Sequence, residues 1–406
     1  MDLLFVHQNF PGQFRHVAMH FASLGYRVEA LHQQGVGNLP GVRAVRYSLE
    51  RGNYAGVHPF AQEFESKVLR GEACARQALV LKAKGLTPGV AFVHPGWGEA
   101  LYLKEVFPDV RLVCLTEFYY RATGQDMGFD PEAPEPTFED RARLHTKNAN
   151  LLLAMEAMDV GIAATRWQAS VLPAWAQAKT RVIHEGIDTV EVSPDASAMI
   201  SLPDRGVHVR AGDEVLTFVS RNLEPVRGFH TFMRALPAIM AARPRLQVFI
   251  VGGDGVSYGA LPSFGSYRKH YLAEVAGGLD PARVHFMGQV PRSVFVRLMQ
   301  VSRCHIFLTY PFVLSWSMLE AMSAGALVVG SDTAPVREVI QDGVNGVLTD
   351  FFDAPMLAQK VIDVLASPQT YAAMAAAGRQ TVVDRYDLNS ICLPKYRQLL
   401  EELVGA

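Results

Sequence analysis

Short apolar runs alternate with longer stretches of helical periodicity along the whole chain. In the first half, the run Leu3–Val6 ends at a turn, a helical pattern follows over Phe14–Leu24, and Gly25 ends that pattern. The other short runs of the first half are Arg27–Leu31, Val90–Val93, Val110–Leu115 and Val160–Ala163. Buried strands that alternate with helices predict parallel sheets covered on both faces.

One stretch interrupts this pattern. Residues 119–147 are rich in Pro, Asp, Glu and Gly and predict a long loop or insertion, after which a helical pattern returns over about Asn148–Met158. Residues 181–200 have turn chemistry near the middle of the chain. We therefore place a domain boundary there, after residue 190.

The second half restarts the same pattern. Its strand candidates are Val215–Val219, Leu246–Val251, Val284–Phe286, Ile306–Leu308 and Leu327–Val329. The predicted fold class is α/β, with two doubly wound, Rossmann-like domains in tandem. Such sheets bind ligands at the carboxyl ends of their strands, and two facing domains would hold a ligand in the cleft between them.

Composition narrows the class of protein. The 406 residues are 49% hydrophobic and 19% charged with a net charge of -2, which excludes intrinsic disorder and argues against a nucleic-acid binder. The four cysteines lie far apart without metal-ligand spacing, so we expect neither a zinc site nor a disulfide framework. The start has no signal-peptide pattern and no unbroken apolar run is long enough to span a membrane, so we expect a cytoplasmic protein.

The first strand-to-helix loop reads HQNFPG over residues 7–12. It lacks the GxGxxG pattern of nicotinamide- and flavin-binding folds. Gly12 would still let a ligand approach the backbone at a helix N-terminus, where an anion is favoured. The alternative is a simple turn.

Two arginines follow the first predicted strand of the second half. Arg221 and Arg227 lie at the carboxyl end of that strand and before a helix. Guanidinium groups bind phosphate oxygens in pairs and stay charged at any relevant pH, so a diphosphate would use both. The alternative is a pair of solvated arginines with Glu224 as their partner.

A second strand-to-helix loop of this half leads into a helix that begins near Ser315 or Ser317. Serine caps helices well, and the free N–H groups at a helix N-terminus can hold a phosphate. Glu320 follows about one turn later among apolar and small residues, where an unpaired carboxylate is costly. Ribose hydroxyls are suitable partners for it, and a structural bond to backbone amides is the alternative.

Two further polar residues follow strands of the first half. His94 and Glu117 are candidates for polar groups in a cleft, with a structural role as the alternative for the histidine. The chain has no HExxH motif and no DxD pair, so no metal site is expected. Basic residues spread over 67–84 suit an anionic membrane surface, but glutamates dilute them, and a solvated helix face is the alternative.

Taken in order, these motifs resemble those of the retaining family 4 glycosyltransferases of GT-B fold over most of the chain. LLFVHQNFPGQFRHVA is similar to the family's first strand and glycine loop, and SRNLEPVRGFHTFMRALP to its donor-phosphate motif. VGGDG, VHFMGQVP and LEAMSAGALVVGSDTAPVREVIQDGVNGVL follow in the family's order. HPGWGEALYLKEVFP, EFYYRATGQDMGFDP and TRWQASVLP resemble a bacterial subgroup found among enzymes that build surface polysaccharides and related glycans.

The resemblance implies a metal-independent, retaining transfer of a sugar from a nucleotide sugar, most often UDP- or GDP-linked, to a hydroxyl of a glycan or glycoconjugate. No further cofactor is implied. Acceptor binding would fall to residues 1–190 and donor binding to 191–384, while 385–406 would form a helix that returns to the first domain. Peripheral membrane contact is compatible with this activity.

The same resemblance assigns roles to individual residues. The candidates for catalysis are His94, Glu117, Arg221 and Arg227, the two arginines on the donor diphosphate. The candidates for donor binding are Gly12, Val290, Ser315, Trp316, Ser317, Met318 and Glu320. Within that set, Glu320 would bind ribose, Val290 would lie near the base, and the backbone around Ser317 would contact phosphate.

The chain departs from the family pattern at three of these places. The first glutamate of the family's E-x7-E motif would stand at Phe312, Glu117 occupies the neighbourhood of a usual histidine, and Arg227 replaces a usual lysine. Donor-sugar identity is therefore open. Two alternatives stand beside glycosyl transfer: an inactive homologue that acts as a partner subunit, and a nucleotide-sugar epimerase.

Overall fold

The computed structural model describes residues 1–35, 39–257 and 262–405. They form two compact units, the first of Met1–Gly186 with the segment from Asn389 onward, and the second of Ile187–Leu388. The sequence-based limits, after residues 190 and 384, fall within a few residues of these boundaries.

A seven-stranded parallel sheet forms the centre of the first unit. Its strands are β1 (Asp2–Val6), β2 (Arg27–His32), β3 (Val42–Arg46), β4 (Pro88–Val93), β5 (Arg111–Leu115), β6 (Val160–Ala163) and β7 (Thr180–Val182). They lie in the order β3-β2-β1-β4-β5-β6-β7. Strands β2 and β3 follow on one side of β1, and β4 to β7 follow on its other side. The position between β1 and β4 is therefore the switch point at which doubly wound sheets bind ligands.

Helices cover this sheet because its central strands are apolar on both faces. Leu3, Leu4, Phe5 and Val6 of β1 are all fully buried. The helices are α1 (Arg15–Ser23), α2 (Gln62–Ala83), α3 (Leu103–Val106), α4 (Phe138–Ala157), α5 (Arg166–Ser170) and α6 (Ala174–Gln177).

The loop predicted over residues 119–147 is too long. Helix α4 begins at Phe138 because Thr137 and Asp140 form a capping box: Asp140 N donates to Thr137 Oγ1 at 3.2 Å, and Thr137 N donates to Asp140 Oδ2 at 3.0 Å. Two of the acidic residues that indicated a loop, Glu139 and Asp140, thus lie in a first helical turn, where the helix dipole favours them.

The second unit contains a six-stranded parallel sheet and a separate antiparallel hairpin. The hairpin is β8 (Met199–Leu202) with β9 (Val207–Arg210). The strands of the sheet are β10 (Val215–Asn222), β11 (Gln247–Gly253), β12 (Val284–Gly288), β13 (Cys304–Phe307), β14 (Leu327–Ser331) and β15 (Val347–Thr349). Their order, β12-β11-β10-β13-β14-β15, places the switch point between β10 and β13.

Seven helices in the described part of this unit surround its sheet. They are α7 (Phe229–Ala242), α8 (Tyr267–Val275), α9 (Arg292–Val301), α10 (Trp316–Ser323), α11 (Ala334–Arg337), α12 (Ala354–Ala366) and α13 (Pro368–Tyr386). The predicted pair of doubly wound domains is therefore confirmed.

The last helix, α14 (Leu393–Gly405), belongs to the first unit, where it contacts α1 and β4. Tyr396 and Leu400 of this helix are 1% exposed. All four cysteines are buried free thiols. Within the described ranges, no helix has the length and apolarity needed to cross a membrane.

Candidate active site

In the first unit, the loops that follow β1, β4 and β5 bring four polar side chains together. His7 Nε2 lies 2.8 Å from Gln13 Oε1, and Gln13 Nε2 donates to Glu117 Oε1 at 2.8 Å. His94 Nε2 lies 3.2 Å from Glu117 Oε2. The structure thus joins the predicted residues His94 and Glu117 at the switch point and adds His7 and Gln13 to them.

Backbone hydrogen bonds define where the protons of both imidazoles lie. Asn9 N donates to His7 Nδ1 at 3.0 Å, and Gly96 N donates to His94 Nδ1 at 3.1 Å. Because each Nδ1 is an acceptor, Nε2 is the donor atom of each ring. His7 therefore donates to Gln13, and both Gln13 and His94 donate to the Glu117 carboxylate.

Glu117 is an ionised acceptor in this arrangement. Desolvation would raise its pKa, but the hydrogen bond from His94, the electrostatic effect of the His94 and His7 rings and the hydrogen bond from Gln13 outweigh desolvation, so the pKa of Glu117 is lowered. Its side chain is 32% exposed. A carboxylate that is fixed on one side and open on the other can accept hydrogen bonds from hydroxyl groups of a ligand.

Gly12 is a glycine because of His7. Its φ is 45°, and a Cβ at this position would lie 2.4 Å from the His7 imidazole. The space expected to admit a ligand is therefore filled by the imidazole. Trp97 lies against both histidines, with ring centroids 4.8 Å from His7 and 4.4 Å from His94.

In the second unit, Arg221 and Arg227 lie at the carboxyl end of β10 in different surroundings. The Arg221 side chain is exposed and forms no hydrogen bond or ion pair with a described residue. Arg227 follows in a short 3-10 turn, where its Nη1 donates to Thr309 Oγ1 at 2.8 Å and to the Val313 carbonyl at 2.9 Å. One guanidinium is thus held in place and the other is available to an anion.

Phe312 explains part of this difference. Its side chain is only 3% exposed, and the Arg227 guanidinium lies 5.7 Å from the centre of its ring. An aromatic face at this distance attracts a cation. The residue that replaces the family's glutamate therefore packs against the arginine proposed to bind phosphate.

The helix expected to begin near Ser315 or Ser317 begins at Trp316, with Ser315 as its N-cap. Ser315 Oγ accepts a long hydrogen bond of 3.4 Å from Ser317 N, and the two hydroxyls lie 3.2 Å apart. Met318 is fully buried, and its side chain belongs to the core. Trp316 and Val290 are partly buried and pack against the same core.

Glu320 has a protein partner that the sequence did not indicate. Arg292 Nη1 donates to Glu320 Oε1, while Arg292 Nη2 donates to Glu191 Oε2 at 2.9 Å. The Glu320 side chain is 8% exposed. Burial raises the pKa of Glu320, and Arg292 offsets that rise only in part.

Sequence reasoning missed His7, Gln13, Arg292 and Glu191. His7 and Gln13 flank the glycine loop, but nothing in their spacing indicates that Gln13 bonds to Glu117, more than a hundred positions later. For Arg292, the sequence contains one indication of a nearby carboxylate. Arg292 is the first residue of α9, with Pro291 as the cap, and a cation in a first turn opposes the helix dipole unless a carboxylate compensates.

Two doubly wound units in one chain, each with polar groups at its switch point, define the GT-B class of α/β proteins. Residues 25–192 match the profile of the glycosyl transferase family 4 group, and residues 203–381 match that of the glycosyl transferases group 1. The chain belongs to the family 4 glycosyltransferases of GT-B fold.

Curated relatives include several mannosyltransferases. A phosphatidyl-myo-inositol mannosyltransferase of Mycolicibacterium smegmatis is 30% identical over 250 residues, which cover 60% of this chain and 56% of that protein. A GDP-mannose-dependent alpha-(1-6)-phosphatidylinositol monomannoside mannosyltransferase of the same species is 27% identical over 212 residues, 50% of this chain and 51% of that protein. Spore coat protein SA of Bacillus subtilis is 26% identical over 202 residues, 48% of this chain and 51% of that protein. The chain spans about half the length of the curated relatives it matches.

Solved structures match the whole chain. Sucrose-phosphate synthase from Thermosynechococcus elongatus has a TM-score of 0.76 at 17% identity, with 100% of both chains covered. The Anabaena protein HepE in complex with UDP and glucose has a TM-score of 0.68 at 18% identity, with the same coverage. At such identities the likeness establishes the fold alone.

Proposed function

We propose that this protein transfers a sugar from a nucleotide-sugar donor to a hydroxyl of a glycan, glycolipid or other glycoconjugate, with retention of anomeric configuration and without a metal. The observation that carries the proposal is the arginine pair at the switch point of the second unit. Arg227 is oriented by Thr309 and Val313, and Arg221 is exposed without a described partner. Together they suit the diphosphate of such a donor.

The donor is proposed to be a UDP- or GDP-sugar bound by the second unit. One mycobacterial relative is named as GDP-mannose-dependent, and the HepE structure was determined with UDP and glucose. The α10 N-terminus at Ser315 would add backbone donors to the phosphate, and Glu320 would accept hydrogen bonds from the ribose hydroxyls. The donor is a substrate, and no further cofactor is proposed.

Chemistry would rest on stabilising the departing diphosphate. The bond from the anomeric carbon to the diphosphate oxygen breaks, and the acceptor oxygen bonds to the same face of that carbon. The acceptor proton passes to the departing phosphate oxygen. Negative charge grows on the diphosphate as the transition state forms, so the two guanidinium groups, Arg227 held by Thr309 and Val313 and Arg221 exposed, would stabilise the transition state more than the ground state.

Acceptor binding is proposed for the switch point of the first unit. Glu117 is ionised, partly exposed and fixed by Gln13 and His94, so it can accept a hydrogen bond from an acceptor or donor-sugar hydroxyl. A fixed negative charge at this place disfavours uronic acids and sugar phosphates. We therefore expect the sugar or acceptor group that reaches Glu117 to be uncharged or cationic.

A cytoplasmic location with peripheral membrane contact belongs to the same proposal. Leu79 and Val80 on α2 are 52% and 43% exposed, with Lys82 and Lys84 nearby in the sequence. Sedimentation with vesicles of anionic lipid, compared between the wild type and a Leu79→Ser, Val80→Ser variant, tests this contact. Equal sedimentation of both would contradict it.

Phe312 keeps one alternative function open, namely an inactive homologue that acts as a partner subunit. Incubation with UDP- and GDP-sugars, a panel of hydroxylated acceptors and EDTA separates the possibilities. Glycosyl transfer predicts a product whose anomeric proton coupling in NMR matches the donor configuration. An epimerase would change the nucleotide sugar without an acceptor, and an inactive homologue would leave donor and acceptor unchanged.

A further inference from the structure

One arginine links two carboxylates of the second unit beside the proposed nucleotide site. Arg292 donates through Nε and Nη2 to the two oxygens of Glu191, at 3.3 and 2.9 Å, and through Nη1 to Glu320 Oε1. Glu191 is half exposed, whereas Glu320 is almost completely buried. The guanidinium also lies 5.4 Å from the centre of the Phe295 ring, which restricts its orientation.

The ion pair between Arg292 and Glu320 stabilises two charges that would each be unfavourable alone. A buried carboxylate without a partner is strongly disfavoured, and a cation at the first position of a helix is disfavoured by the helix dipole. Glu320 and Arg292 each supply the charge that the other needs. Glu191 binds the opposite edge of the guanidinium through two hydrogen bonds and thereby fixes the plane in which Arg292 meets Glu320.

The hydrogen bond from Arg292 uses only one of the two carboxylate oxygens of Glu320. Among the described residues, Arg292 is the one donor to this carboxylate, and it uses Oε1. Glu320 Oε2 remains an acceptor with a defined direction. A ligand with two neighbouring hydroxyls can donate to a carboxylate held in this way, whereas a freely rotating carboxylate would lose conformational entropy on binding.

We propose that Arg292, held by Glu191, is a positioning residue that orients Glu320 toward the ribose hydroxyls of the nucleotide and so gives the site its preference for ribonucleotides. The inference rests on the proposed role of Glu320 as the ribose acceptor. Arg292 itself need not touch the nucleotide.

The test compares the affinity of the full-length protein for UDP and 2′-deoxy-UDP, and for GDP and 2′-deoxy-GDP, by titration calorimetry. The dissociation constant of the 2′-deoxy nucleotide divided by that of the ribonucleotide measures ribose recognition. A merely structural role would weaken the binding of both nucleotides without changing this ratio. We expect Glu320→Gln to lower the ratio by on the order of tenfold. Arg292→Ala should lower it comparably, and Glu191→Gln should lower it less.

Arg297→Ala is the matched control. Arg297 lies on the same helix and forms a surface ion pair with Asp195 at 2.5 Å, so this variant removes a similar pair without touching Glu320. Its ratio should equal that of the wild type. If Arg292→Ala fails to fold because Glu320 loses its partner, Arg292→Lys keeps the charge but loses the paired geometry, and its ratio should also fall.

The outcomes separate the two layers of the proposal. A wild-type ratio in the Arg292 and Glu191 variants, with a lowered ratio in Glu320→Gln, would overturn the positioning role and leave the ribose assignment intact. A wild-type ratio in Glu320→Gln would overturn both. A double variant, Arg292→Ala with Glu320→Gln, should match Glu320→Gln alone, because the two residues act through one contact.

Discussion

At the scale of single residues, the character of the first unit's site depends on one negative charge. Glu117 takes the neighbourhood in which the family usually has a histidine, and the surrounding donors are arranged for a carboxylate. Gln13 and His94 each donate to one of its oxygens, and the backbone at Gly96 defines the donor atom of His94. The substitution is thus integrated into its surroundings.

Glu117→Gln should destabilise the protein in a pH-dependent way. Glutamine has one acceptor oxygen, so its amide would face either Gln13 or His94 with a donor against a donor. We expect the free energy of unfolding in urea at neutral pH to fall by about 1–3 kcal/mol. Glu135→Gln, at an exposed loop position of the same unit, should change it little.

The pH dependence follows from the lowered pKa of Glu117. A carboxylate whose pKa is lowered by folding stabilises the protein above its ordinary value, here 4.5, and that contribution is lost as the pH falls through the lowered pKa. The stability gap between wild type and Glu117→Gln should therefore narrow below pH 4.5. A gap that stays constant down to the lowest pH at which both fold would show that charge is not its cause.

Sequence reasoning found residues whose chemistry is local and missed those defined by distant contacts. Arg221, Arg227 and Glu320 were found because a charged residue at a strand end or inside an apolar run is unusual in itself. Nothing in the sequence around Arg292 and Gln13 indicates a functional role, because their partners Glu320 and Glu117 become neighbours only in the folded chain. No periodicity encodes such a pairing.

At the scale of secondary-structure elements, the β1–α1 connection sets the position of the Glu117 network. Gly12 begins the short 3-10 turn Gly12–Phe14 that leads into α1, and Gln13 is its second residue. The turn thus presents the Gln13 amide to Glu117 while the His7 ring passes over Gly12.

Gly12→Ala should disturb this network more than it disturbs the fold. The added methyl group would meet the His7 imidazole, so we expect a large loss of turnover in the transfer assay. Gly25→Ala is the control, because Gly25 also has a positive φ, of 88°, but nothing lies within 4 Å of its added Cβ. Both variants carry backbone strain of about 1 kcal/mol, and equal turnover in the two would contradict the role given to Gly12.

Most strands that the sequence revealed lie inside their sheets, with the edge strand β12 as the exception, whereas the strands it did not reveal lie at sheet edges or in the hairpin. The central strands are buried on both faces and appear as continuous apolar runs. Three of the missed strands, β3, β7 and β15, lie at sheet edges, where polar residues such as Arg43 and Arg181 interrupt the run. β7 and β15 have only three residues each.

At the scale of the whole molecule, the two units differ in how the chain builds them. The second unit is one continuous segment, Ile187–Leu388, whereas the first is completed by α14 from the end of the chain. Within the second unit, Thr189 Oγ1 donates to Asp387 Oδ2 at 2.5 Å, so the segments that enter and leave it are bonded to each other.

A fragment of residues 187–388 should therefore fold alone and bind the nucleotide with nearly the affinity of the full chain. Fragment 1–186 should be unstable, because it lacks the buried side chains of α14, Tyr396 and Leu400 among them. Circular dichroism and titration with the nucleotide check both statements. A folded fragment 187–388 that fails to bind would mean that residues of the first unit are needed for the donor.

The fold and the family could be predicted at this scale because the strand–helix alternation and the motif order extend over most of the chain. The limits 190 and 384 fell within a few residues of the observed ones, since turn chemistry marks where a chain leaves one sheet for another. The hydrogen bond from Thr189 to Asp387, which joins the two ends of the second unit, connects residues far apart in the sequence. No local sequence pattern predicts it.

The most direct test of the account is the melting temperature in the presence of UDP, GDP, ADP or CMP, with EDTA, for wild type and two variants. A ligand that binds only the folded state raises the melting temperature. We expect a rise with one nucleotide in the wild type and in the control Arg210→Ala, at an exposed site on β9. In Arg221→Ala the rise should be largely lost, because the Arg221 side chain is proposed to bind the diphosphate and forms no hydrogen bond or ion pair with a described residue. No rise with any nucleotide, or an equal rise in Arg221→Ala, would contradict the proposed donor site.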